Sequence, residues 1–215
     1  MRIQATEAQV WWIAIVDEIR PHEGLAWQTW FEAIQQTFRF IQAPTELPKL
    51  GLGFEFKEGH LEDDQNVIGI TSLQVYQGGF SIFVPSNTGN AEKALQAALE
   101  TFYSLGFREP LTPPLHYYVS TIVADFDRSL DALIPEWLLK TIASTLPIEG
   151  ENHFFLLQTN LDATKIGGRA APVNPTNFRI ERRAGVPYEQ NRYFCQANTT
   201  TEKHINLLEE IERRL

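Results

Sequence analysis

The C-terminal stretch Asn191-Arg192-Tyr193-Phe194-Cys195-Gln196-Ala197 decides the fold class, because large apolar and polar side chains alternate along it. Alternation with a period of two is the mark of a strand with one buried and one wet face. Around it stands an ordered run of landmarks: Gly167-Gly168, a Pro-punctuated stretch through Phe178, Arg183-Ala184-Gly185, and then Glu202-Lys203-His204-Ile205-Asn206. A glycine pair permits a tight turn or a close approach of two elements. Thr199 with Glu202 three residues later has the capping-box pattern and predicts a terminal amphipathic helix.

Working outward, Val10 to Ile19 starts apolar and ends charged, and reads as a buried strand, broken by Pro21 and Gly24. A helix is predicted over Ala26 to Phe40, since Trp27, Trp30, Phe31, Ile34 and Phe38 recur at three- and four-residue steps. Leu50 to Lys57 and Val67 to Tyr76 read as strands joined by the acidic turn Glu62-Asp63-Asp64, a hairpin. Phe80 to Val84 is a further strand. Asn90 is placed as the N-cap of a helix carrying Leu95, Ala98, Leu99 and Phe102, with Gly106 as its C′ residue. His116 to Ala124 is strand-like, Pro135 and Trp137 to Leu146 helical, and Phe154 to Thr159 another strand. The order β-α-β-β-β-α-β-α-β-β-α predicts an α+β fold in one domain, 1–215, with an antiparallel sheet of six or seven strands and helices on one face. No internal repeat stands out.

Composition excludes several functions. The 215 residues are 43% hydrophobic and 21% charged, ordinary for a soluble globular chain. A net charge of −9 and the lack of a dense Lys/Arg cluster argue against nucleic acid and against polybasic membrane binding. No apolar run approaches a membrane span, and the expected location is cytoplasmic. Arg179, Arg182 and Arg183 form the one basic knot; balanced by Glu181, it reads as a solvated loop rather than an anion site. Cys195 is the single cysteine, so neither an internal disulfide nor a thiolate cluster can form, and beside Phe194 it reads as a small core residue. The five histidines are scattered, with none at helical metal spacing, so no metal is expected. Gly51-Leu52-Gly53 lacks the third glycine and the opening helix of a dinucleotide loop. His116 and Asp125 invite an acid–base reading, but along one strand they lie about 30 Å apart.

The colinear run resembles the substrate-binding domain of berberine-bridge-enzyme-like, FAD-linked oxidases. Ile180-Glu181-Arg182-Arg183-Ala184-Gly185 resembles the family's Phe-Pro-His-Arg-Ala-Gly type loop, although Glu181 and Arg182 stand where Pro and His are usual. Asn191 to Ala197 falls on the strand after that loop, and His204-Ile205-Asn206-Leu207 on the following helix, with Leu207 replacing an aromatic. Tyr117-Tyr118-Val119-Ser120 resembles a Tyr-Tyr-x-Lys-Ser strand, with Val119 in place of Lys. The resemblance implies that Gln196 points from the sheet toward substrate and flavin, with Tyr118, Tyr117 and Tyr193 as further substrate contacts. Alternation sets Tyr193 on the face opposite Gln196 and ranks it lower. Neither flavin-binding flank of such an oxidase is present, so the chain alone is expected to bind no cofactor and to catalyse nothing. FAD would come through a flavin-binding partner subunit; a homo-oligomer is the other association considered. The alternative is a non-catalytic small-molecule-binding or scaffolding module on the same fold.

Overall fold

The computed structural model describes residues 1–14, 27–44, 53–63, 66–76, 78–145, 156–160 and 176–215. Its elements are β1 (Arg2–Ile13), α1 (Trp27–Phe38), β2 (Phe54–Asp63), β3 (Asn66–Tyr76), β4 (Gly79–Val84), α2 (Thr88–Ser104), β5 (Leu115–Asp125), α3 (Glu136–Thr145), β6 (Leu156–Asn160), β7 (Thr176–Arg182), β8 (Arg192–Ala197) and α4 (Thr201–Arg214). The eight strands make one open antiparallel sheet in the order β2-β3-β4-β1-β5-β8-β7-β6. An α+β fold is therefore correct, with one strand more than the sequence suggests.

That strand is β7. Thr176–Arg182 reads as a loop because of its prolines upstream and its charges, yet it pairs with β6 and β8, Arg179 opposite Gln196 and Glu181 opposite Phe194. β1 also begins earlier than the apolar run, at Arg2, because its first residues are exposed and carry no hydrophobic signal. The β2–β3 hairpin forms, but β2 runs on to Asp63, so Glu62 and Asp63 pair with Val67 and Asn66 within the ladder instead of making the turn. The cap of α2 is Asn87, whose side chain accepts from the Asn90 backbone N–H, so Asn90 lies inside the helix rather than capping it. Gly106 follows the C-cap Leu105 with φ +89°, a left-handed conformation that favours glycine. The readings that fall on Ile15 to Ala26, Leu50 to Leu52, Asp64, Leu146, Phe154 and Gly167-Gly168 lie outside the described residues.

Contacts group the chain into two compact units. One comprises Glu7–Ser120 with Thr199–Thr201, the other Met1–Thr6, Thr121–Asn198 and Glu202–Leu215. In the first, Ala8, Val10 and Trp12 of β1, Phe80, Ile82 and Val84 of β4, Leu73 and Val75 of β3 and Phe56 of β2 make the buried face. Trp30, Ile34 and Phe38 of α1, four residues apart, and Ala91, Ala94, Leu95, Ala98 and Phe102 of α2 cover it. Trp30 meets Phe56 and Phe102 edge-on. The N-terminus of α2 is tied to Thr201: the Thr88 N–H donates to Thr201 Oγ1, and the Thr201 N–H donates to Thr88 Oγ1, each at 2.9 Å.

In the second unit Ile122 and Ala124 of β5, Ile180 of β7, Tyr193 and Cys195 of β8 and Leu208 of α4 form the core. The helical stripe of α4 continues through His204, fully buried, with Phe178 edge-on to its ring. α3 contributes no buried residue.

The element order β-α-β-β-β-α occurs twice, over β1 to α2 and over β5 to α4. Within each half the strands are ordered second, third, fourth, first: β2-β3-β4-β1 and, read from the far edge, β6-β7-β8-β5. The chain is an internal repeat in topology, a feature that the residue-level reading does not find.

Candidate functional site

The site is built on the helix-free face of β7 and β8. Along β8, Tyr193, Cys195 and Ala197 are buried, while Arg192, Phe194 and Gln196 are half-buried on the alternate face. β7 alternates in step: Ile180 and Arg182 face the core, and Arg179 and Glu181 stand beside Gln196 and Phe194. The strand pair thus presents two polar–aromatic rows on a rigid support. Here Arg179, Glu181, Arg182, Arg183, Ala184 and Phe194 line a concavity of about 420 Å³.

Gln196, the residue implied by the family resemblance, lies on this face next to Arg179. Its side-chain amide makes no hydrogen bond to any described residue. Arg179 pairs with Glu181 on the same strand, and its guanidinium carbon lies 6.0 Å from the centroid of the Phe194 ring. Arg183 is exposed and its guanidinium has no ion-pair partner among the described residues; its backbone N–H donates to the Arg192 carbonyl at 2.9 Å.

Arg182 corrects the reading of the basic knot as a solvated loop. Its side chain is only 7% exposed. Its Nη2 donates to Tyr193 Oη at 2.6 Å and to Asp131 Oδ2 at 3.2 Å, and its guanidinium carbon sits 4.7 and 4.8 Å from the ring centroids of Tyr193 and Tyr188. A buried arginine needs this many partners because its charge cannot shed its proton. Two donors are still unmet: Arg179 Nε and Arg182 Nε are buried and have no acceptor.

The other expected contacts lie elsewhere. Tyr193 is fully buried in the core, where its hydroxyl accepts from Arg182 and from the Leu130 N–H at 3.1 Å, so it holds the short 3-10 turn Leu130–Leu133 in place. Tyr118 packs on the helix-covered face and donates to Glu92 Oε2 of α2 at 3.2 Å; burial first, then the Glu92 charge, raises its phenol pKa. Tyr117, by alternation, shares the other face of β5 with Val119 and is half-buried. His116 and Asp125 are not brought together. His116 Nδ1 is 4.0 Å from Glu92, and Asp125 is engaged by Arg192, Arg2 and Gln4. Burial pushes the Cys195 thiol up to about 12, which suppresses its thiolate at neutral pH.

The residues that the sequence underrates are the arginines, above all Arg182, whose partners Ser129 and Asp131 lie far upstream in sequence. Among the described residues no group of three or more His, Cys, Asp or Glu side chains could hold a metal ion, and no helix is long and apolar enough to cross a membrane. No family model and no curated protein matches the chain.

Proposed function

We propose that this chain is a small-molecule-binding module whose ligand sits on the helix-free face of β7 and β8. The observation that carries this reading is the concavity of about 420 Å³ on that face, within the range of ligand sites, together with polar groups that the protein leaves unused. Strand residues hold such groups with little freedom, so a ligand meets a preformed surface. Gln196 contributes an amide with both a donor and an acceptor, and Phe194 an aromatic ring. The test is a ligand-observed and protein-observed NMR screen of the full chain against carboxylates, neutral aromatics and sugars. Shift changes clustered at residues 179–184 and 194–196 are expected; a screen without any hit in that cluster overturns the reading.

A second reading is favoured by Gln196 alone. The same face would close over a flavin held by a partner subunit, with Gln196 reaching the substrate, as the oxidase resemblance implies. Mixing the chain with candidate flavoproteins and following flavin absorbance and co-elution tests it, since a flavin covered by this sheet changes its spectrum. Unchanged spectra and separate elution count against it.

A further inference from the structure

We infer that the ligand of the β7–β8 site is an aromatic carboxylate, an inference that rests on the binding-module reading above and narrows it. Charge is the first argument. Three arginines and one glutamate line the concavity. Glu181 answers Arg179 and Asp131 answers Arg182, but no described residue answers Arg183. The site therefore holds one surplus positive charge in a chain whose formal net charge is −9. A surplus of one matches a monoanion; a phosphate dianion would bring a second charge against the Glu181 carboxylate.

An unmet donor is the second argument, and it is independent of the first. Arg179 Nε is buried without an acceptor, and Arg179 stands on the face of the concavity, whereas the Arg182 side chain turns to the core and Tyr193. Buried donors are nearly always paired, so this orphan points to an acceptor that the protein itself does not supply. A carboxylate is acceptor-only, planar and matched to guanidinium geometry. The third argument is the Phe194 ring, already approached by the Arg179 guanidinium and only half-buried. A flat ring on the ligand continues that stack, and Gln196 can bond a substituent on it.

The experiment is isothermal titration of the full chain with 2-naphthoate, with its neutral isostere 2-naphthamide, and with inorganic phosphate. Naphthoate is expected to bind at least tenfold more tightly than naphthamide, weaken with added salt, and resist displacement by phosphate. Arg183→Ala, at an exposed position that should leave the melting temperature unchanged, is expected to weaken naphthoate at least tenfold and naphthamide little. Phe194→Ala should weaken both. Equal binding of acid and amide, with shifts still at the β7–β8 face, overturns the carboxylate assignment and leaves the binding module standing. Phosphate binding as tightly as naphthoate also overturns it. Loss of every probe signal at residues 179–196 overturns both.

Discussion

Asp125 offers the sharpest test of the electrostatics in the second unit. It sits at the end of β5, 14% exposed, and accepts from Arg192 Nε at 2.5 Å, Arg192 Nη2 at 3.1 Å, Arg2 Nη2 at 3.0 Å and Gln4 Nε2 at 2.7 Å. The bidentate Arg192 pair, more than Arg2, holds its carboxyl at about 2 against an ordinary value of 3.8. A depressed folded-state value means that the stabilisation is complete above the unfolded-state value and disappears as pH falls from about 4 through 2. The full linkage is roughly 2 kcal/mol. Arg2 is 77% exposed and Arg192 29%, so screening lowers this to about 1 kcal/mol. Asp125→Asn keeps an acceptor oxygen and removes the charge. In urea unfolding, the variant is expected to be about 1 kcal/mol less stable than the parent at pH 7, with the gap narrowing steadily below pH 4 and nearly closed at pH 2. A gap that stays constant across that range refutes the ionic account and makes the loss one of packing.

Tyr193→Phe removes the acceptor shared by Arg182 and the Leu130 N–H, and should cost about 1–3 kcal/mol in urea unfolding while leaving ligand binding at the β7–β8 face in place. Asn87→Ala deletes the cap of α2 and should cost about 1 kcal/mol, read in the same way; Asn90→Ala should cost less, since Asn90 is not the cap. Cys195, buried with its thiol pushed up to about 12, should resist alkylation by iodoacetamide in the native protein at pH 8 and react once urea is added; native-state labelling within minutes would show that this core is not closed.

How far the sequence reveals this molecule depends on whether a residue's role is local. α1, α2 and α4 are legible because three- and four-residue apolar steps are short-range signals, although the N-cap of α2 is misplaced by three residues, and the alternation in β8 correctly divides Tyr193 and Cys195 from Phe194 and Gln196. β7 is not legible. Its core positions are Phe178, Ile180 and Arg182, and the arginine stands where an apolar residue would have completed the pattern. Only the folded chain supplies the reason: Tyr193, Ser129 and Asp131 gather around that guanidinium from other elements. The internal repeat leaves a faint trace. Asn87-Thr88 precedes Glu92-Lys93, and Asn198-Thr199 precedes Glu202-Lys203. In both halves three residues separate the last strand from the helix, and the helices begin at the mutually bonded Thr88 and Thr201. The spacing differs by one residue between the two traces, and the strands before them share little, so period alone does not expose it.

The two halves of the repeat fill the corresponding faces differently. In the first half the corresponding strand pair, β3 and β4, sets Gln74 opposite Ser81 and Tyr76 opposite Gly79. Those small residues on β4 leave its helix-free face to Trp11 and Tyr76, whose rings stack at 5.4 Å and 13°. Tyr76 donates to Gln74, Gln74 donates to Glu55 at 2.9 Å, and Gln9 donates to Ser81 at 2.6 Å. Trp11 Nε1 on the same face is buried without an acceptor. In the second half, β8 carries Arg192 and Phe194 at the positions held by Gly79 and Ser81, counting back from the strand ends Ala197 and Val84. Arg192 turns to Asp125, while Gln196 and Arg183 are left with no side-chain partner among the described residues and the Phe194 ring has only the Arg179 guanidinium near it. One topology thus yields a face crossed by its own side-chain contacts and a face on which Gln196 and Arg183 have no side-chain partner among the described residues.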